Sequence, residues 1–156
     1  MTDADVGSAL SLVKAGKFGA LGTIARVGGH PFATLVGYAL AGSASTRASA
    51  PVLLLSELAE HTQNLRADGR ASLLVVDDAA EDPLAHGRVT LVGVVTACPR
   101  EEVEAAYLAV HPQAAGFLAL RDFGFWRLEV ESVRYVGGFG RMGWIDGGAW
   151  SEATRS

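Results

Sequence analysis

RYVGGFGRMGW, residues 134–144, sets Gly138, Gly140 and Gly143 in the spacing G-x-G-x-x-G. Taken as a dinucleotide fingerprint, it would make the chain a parallel, doubly wound sheet. Taken as the exit from a late strand, it leaves the fold free to close as an antiparallel sheet. The fingerprint works through its context: glycines permit a tight strand-to-helix turn and close backbone approach to a pyrophosphate, which then faces a helix N-terminus. Thirteen residues follow Gly143, too few for a helix, a second parallel strand and an acidic ribose ligand about twenty positions on. The string therefore reads as a Gly-rich segment leaving the last strand, with Arg141 and Trp144 placed to cover a ligand or a partner.

Working outward, FWRLEV (125–130) and VRYVGG (133–138) read as a last pair of strands. EEVEAAYLAVHP (101–112) reads as a helix begun by Pro99, with glutamates at the positive end of its dipole, and stopped before Pro112. RASLLVVDD (70–78) and RVTLVGVVTAC (88–98) are rich in β-branched residues and read as strands. PVLLLS (51–56) is too uniformly apolar to have one solvated face. Ser56 is placed to cap a helix over ELAEHTQNLRAD (57–68), whose Leu58, His61, Thr62 and Leu65 share one face. Phe18 to Arg26 and Phe32 to Leu40 form a hairpin through Gly28-Gly29, which supply positive φ angles, and 41–49 is a loop. Val6, Ala9, Leu10 and Val13 make the apolar stripe of a helix ending near Gly16. Strands outnumber helices about two to one without βαβ alternation, so an α+β fold is expected: an antiparallel sheet closed into a barrel, with peripheral helices. Residues 1–156 read as a single domain, with 1–4 and 146–156 as flexible tails.

Composition narrows the chemistry. Formal net charge is −4 and the basic residues are scattered, which argues against a nucleic-acid partner. Cys98 stands alone, so neither an internal disulfide framework nor a cysteine zinc site is available, and the start carries no basic segment followed by an apolar run. A cytoplasmic protein with no membrane association is expected. Asp122-Phe123-Gly124 is kinase-like in letters only, because no phosphate loop or strand lysine accompanies it. His30, His61, His86 and His111 lie at least 25 residues apart, so no helical histidine pair offers a metal site, and no G-x-S-x-G elbow marks a nucleophile. His111 before Pro112 suits helix termination, and His30 and His86 suit turns.

The order of helix, FGALGTIARVGGHPFATLVGYAL, PVLLLSELAEHTQNLRADGRASLLVVD and RVTLVGVVTAC resembles the FMN-binding split barrel of the pyridoxamine 5′-phosphate oxidase superfamily over residues 5–144. The S-x-L-A-x-H-T-x-N pattern of Ser56–Asn64 and the Gly-Gly-Phe-Gly of 137–140 resemble its branch of small flavin proteins and haem-utilisation proteins. The resemblance implies a homodimer with FMN in the groove between protomers. It places phosphate contacts on Ser56, His61 and Thr62, with support from Thr34, Leu35, Val36 and Arg88, and lets Arg141 and Trp144 close over the ring. A hydroxyl, an imidazole and helix N–H groups can donate to a dianionic phosphate, and an arginine can neutralise it. The oxidase pattern has an Arg-Lys pair where this chain has Glu60-His61, which weakens the electrostatics of that grip. The function so implied is an FMN oxidoreductase acting on a small substrate or O₂, with no acid or base named. The alternatives are a haem-binding or haem-degrading protein with a histidine ligand, or a cofactor-free dimer.

Overall fold

A computed structural model describes residues 1–43, 47–138 and 140–155. Residues 44–46 of the expected 41–49 loop, Phe139 of the Gly-Gly-Phe-Gly string and Ser156 of the expected tail lie outside the described residues.

The hairpin comes first. β1 (Phe18–Ile24) and β2 (Pro31–Gly42) pair antiparallel, and the turn between them holds Gly28 at φ 85° and Gly29 at φ 72°. Both angles are strained for residues with a Cβ. β3 (Ser49–Ser56), β4 (Arg70–Val76), β5 (Arg88–Ala97), β6 (Phe123–Val136) and β7 (Met142–Asp146) complete a seven-stranded sheet in the order β3-β2-β1-β4-β5-β6-β7. A β3–β6 pairing closes the first six into a barrel. Alternate residues point inward, and Leu21, Tyr38, Leu53, Leu73, Leu91 and Leu128 fill the interior.

The split lies on one edge of β6. Residues 123–127 of that edge pair with β3 and residues 132–136 pair with β7, while 128–131 pair with neither. The segments 125–130 and 133–138, expected as two strands, are thus one 14-residue strand. A bulge accommodates the polar Glu131-Ser132 step, since Val92 faces Ser132 and Gly93 faces Val130, leaving Glu131 as the extra residue. The true last strand is β7, within the segment expected to be an irregular exit.

Helices close what the barrel leaves open. α1 (Asp3–Ala15) covers one end with Ala9, Leu10 and Val13, and Tyr38 inside the barrel donates its phenol proton to the Val13 carbonyl at 2.5 Å. α2 (Glu60–Ala67) covers the other end. α3 (Arg100–Val110) lays Val103 and Tyr107 over Ala39, Val52 and Phe125 on the outer face, followed by a 3₁₀ turn at Pro112–Ala114 and α4 (Ala115–Leu118). α5 (Gly147–Thr154) packs on β6.

Two expectations about the termini change. Thr2 caps α1 in a reciprocal box with Asp5, so the first residues are ordered by capping. Residues 147–154 form a helix, because Asp146 accepts the Ala149 N–H and Trp150 buries its ring. No helix among the described residues is long and apolar enough to cross a membrane.

The Thr2 hydrogen bonds to Asp5, with the Arg141 guanidinium adding to them, hold this carboxyl below its ordinary value of 3.8. A depressed carboxyl pKa stabilises the fold fully above the unfolded value and loses that contribution as pH falls through the lower, folded value. Thermal melts below pH 3.8 should therefore show a steep fall for the native chain and a shallower one for Asp5→Asn, which starts from a lower midpoint at neutral pH.

Candidate functional site

β3 ends at Ser56 and the chain turns over the barrel end into α2. Ser56 does not cap the helix, as its spacing suggested; its Oγ accepts the Leu58 N–H at 3.2 Å within the turn, and Ala59 is the cap residue. Leu58 precedes the helix and is exposed, so it does not share the buried face with His61 and Leu65. The tighter tie is Thr62, whose hydroxyl donates to the Ser56 carbonyl at 2.6 Å. Thr62 is fully buried, which makes it a brace for the turn.

Asn64 sets the position of the helix. Its Oδ1 accepts the Arg26 N–H at 2.9 Å and its Nδ2 donates to Thr23 Oγ1 at 3.1 Å, all at the closing end of β1. With α2 so anchored, His61 meets Thr34 of β2, Nδ1 to Oγ1 at 2.9 Å. His61 is half-buried, and burial pushes its pKa below 6.5, so the imidazole stays neutral to lower pH than a free histidine. No hydrogen bond is made by its Nε2 among the described residues.

The charges beside this turn are balanced. Arg26 pairs with Glu60 at 3.2 Å and Arg66 pairs with Glu57, so each cation at the cradle already faces a carboxylate. Arg66 also lies over the Trp126 ring, 5.3 Å from its centroid.

The other expected site residues divide by face and end. Val36 points into the barrel core, whereas Leu35 points outward and is 77% exposed. Arg88 sits at the start of β5, near the end closed by α1, and donates to the Leu84 carbonyl at 3.2 Å. Arg141 pairs with the buried Asp5 of α1. Trp144 lies on β7, 58% exposed, with the Arg134 guanidinium 5.5 Å from its ring centroid. Ser56, His61, Thr62 and Thr34 are therefore brought together, while Arg88 and Arg141 stand at the opposite end of the same protomer. Asn64, Thr23 and Arg26 were missed as site-builders; the only sequence signal was the Asn that ends the S-x-L-A-x-H-T-x-N pattern.

Among the described residues, one face of the barrel carries no helix. Register across the sheet aligns Leu35, Ala20, Leu74, Thr90, Arg134 and Trp144 in one row. Their sequence neighbours Val36, Leu73, Val75 and Ile145 are buried. The row is therefore outward, and apolar at its β2–β1–β4 end.

The sequence matches the CREG β-barrel family over residues 2–152. The chain belongs to that family. It is 38% identical over 113 residues to the chloroplastic non-canonical heme oxygenase HOZ of Arabidopsis thaliana, a match covering 70% of this chain and 33% of that protein. A solved heme binding protein from Mycobacterium smegmatis is 36% identical, with a TM-score of 0.85 over 97% of this chain and 62% of its own. The chain thus spans a third of the first relative and under two thirds of the second. A Clostridium acetobutylicum protein of the pyridoxinephosphate oxidase family, 14% identical, superposes with a TM-score of 0.69 over 94% of this chain and 96% of its own, a likeness of fold. The split-barrel resemblance read from the sequence is borne out.

Proposed function

We propose that this chain binds haem at the seam of a homodimer formed through its uncovered sheet face. The observation that carries the proposal is His61: biased towards the neutral form by burial, fixed at Nδ1 by Thr34 and left at Nε2 without a partner among the described residues. A metal-ligating imidazole is typically held in this way, by a hydrogen bond to its other nitrogen. Thr34 and His61 lie on the inward side of β2 and the row on its outward side, so in the dimer the row of one protomer would supply an apolar bed for a macrocycle held by His61 of the other, with Arg134 as a cation for its carboxylates. Iron chemistry would come from the bound haem; the chain's part is to bind, orient and exclude water. The two relatives at 38% and 36% identity, a heme oxygenase and a heme binding protein, support the same ligand.

The FMN reading fits less well. A dianionic phosphate beside Ser56 would meet Glu57 and Glu60, whose arginine partners are already paired, and Thr62 has committed its proton to Ser56. Neither an added cation nor a free hydroxyl at Thr62 compensates.

Dimerisation completes the site. A two-fold pair sharing the outward face is self-complementary, and with its axis running across the strands it would bring the end of the barrel that carries Arg88 and Arg141 in one protomer towards the end that carries His61 in the other. The exposed Leu35 and Leu74 then leave water.

Haemin titration tests this. The wild-type chain should give a saturable Soret band that His61→Ala loses and Thr34→Val weakens about 10-fold. Sedimentation should show a dimer that Leu74→Arg splits, with loss of the band. A spectrum identical to free haemin, together with tight quenching of FMN fluorescence, would reverse the order of the two ligands.

A further inference from the structure

The split in the barrel holds a cavity of about 350 Å³, roofed by α5 and walled by the unpaired stretch of β6, the end of β5 and the start of β3. It shares no residue with the haem reading. Two of its polar groups are buried and incompletely matched. Arg127 is 5% exposed and donates to the carbonyls of Ala41 at 2.9 Å and Gly42 at 3.1 Å. A guanidinium has five N–H donors, so neutral carbonyls take only part of its capacity and none of its charge. The carboxylate of Glu129 stands 3.9 Å from Nε and is itself well exposed, a distant and weak counter-ion. Trp150 is 2% exposed, and its indole N–H, closed off from water, has no hydrogen-bond acceptor among the described residues, so a ligand oxygen reaches it only with a small shift of α5. Buried donors are ordinarily satisfied.

We infer that this cavity binds a small organic monocarboxylate, seated on Arg127 and the Trp150 N–H. One carboxylate supplies what both groups lack, a negative charge and lone pairs for several donors. Arg155 also lines the cavity but pairs with Glu152 at 2.8 Å, so Glu102 and Glu129 in the wall disfavour a second negative charge on the ligand. Ala50, Ala97 and Val130 offer apolar contact to the body of the ligand, and the volume suits a molecule the size of benzoate.

The experiment uses the full chain, labelled with ¹⁵N, and follows the indole N–H signals of Trp126, Trp144 and Trp150, assigned by tryptophan-to-phenylalanine variants. Benzoate should move the Trp150 signal saturably at millimolar concentration, and neutral benzamide of the same shape should not. Calorimetry should find benzoate affinity reduced about tenfold in Trp150→Phe, which removes the indole donor, and likewise in Arg127→Lys. Glycine and acetate as further probes ask whether an ammonium beside Glu102 and Glu129 adds affinity to the carboxylate. A Trp150 signal unmoved by benzoate, or moved equally by benzamide, overturns the inference, as does unchanged affinity in Trp150→Phe. Trp150→Phe also takes volume out of a buried position, so its melting midpoint is read beside its affinity, and the comparison of benzoate with benzamide on the unaltered chain stands even if a variant fails to fold.

Discussion

Gly93→Ala is expected to lower the thermal unfolding midpoint by roughly 6–12 °C, the size of effect a loss of about 3 kcal/mol produces in a domain of this length. A Cβ on Gly93 would stand 1.8 Å from the Glu129 carbonyl oxygen and 2.9 Å from its carbon. These are backbone atoms, so no rotamer change relieves the clash. Either the β5–β6 ladder opens at the bulge or β6 shifts, and a shift of β6 disturbs its pairing with both β3 and β7. Gly7→Ala provides the opposite sign in the same protein: it lies inside α1 with nothing within 4 Å of an added Cβ. There the substitution should stabilise by about 0.5–1 kcal/mol, through helix propensity and reduced unfolded-state freedom. Denaturant melts of the two variants, which differ only in where a methyl group is placed, would check the pair; equal midpoints would refute the bulge account.

The second large effect is expected at Asn64→Leu, with a loss of about 2–3 kcal/mol. The fully buried Asn64 side chain satisfies the Arg26 N–H and donates to the Thr23 hydroxyl, and leucine leaves that N–H without a partner. Its consequence reaches the site. Asn64 ties α2 to β1, and α2 presents His61 to Thr34, so hydrogen exchange in α2 should accelerate and haemin affinity should fall with stability. His61→Ala separates the two effects, because it removes the ligand candidate while leaving the Asn64 tie in place. If Asn64→Leu left both exchange and haemin binding unchanged, α2 would be held by Leu65 packing alone.

Much of the barrel was legible one element at a time. Hairpin residues Gly28 and Gly29 adopt the positive φ angles that their position required, and the β-branched runs at 70–76 and 88–97 became paired strands. Misreadings arose where a local rule met a distant partner. Gly147 and Gly148 are poor helix formers, yet the Asp146 cap and the burial of Trp150 make a helix there. Ser56 has the right type and spacing for a cap, but the turn is braced by Thr62 and the helix starts four residues later. Glu131 and Ser132 look like a strand break, and Gly93, 38 positions earlier in the chain, turns the break into a bulge.

The sequence by itself determined an antiparallel barrel with peripheral helices, because alternation, β-branching and glycine turns act over a few neighbouring residues and need no knowledge of the rest of the chain. The tertiary structure alone decided which side chains work together: Thr34 with His61, Asn64 with Arg26 and Thr23, Asp5 with Arg141, and Arg127 with Trp150 around one cavity. The reason is physical. A side chain's hydrogen bonds, burial and pKa follow from the groups that barrel closure carries within a few ångströms of it, and those groups come from strands and helices far apart in the chain.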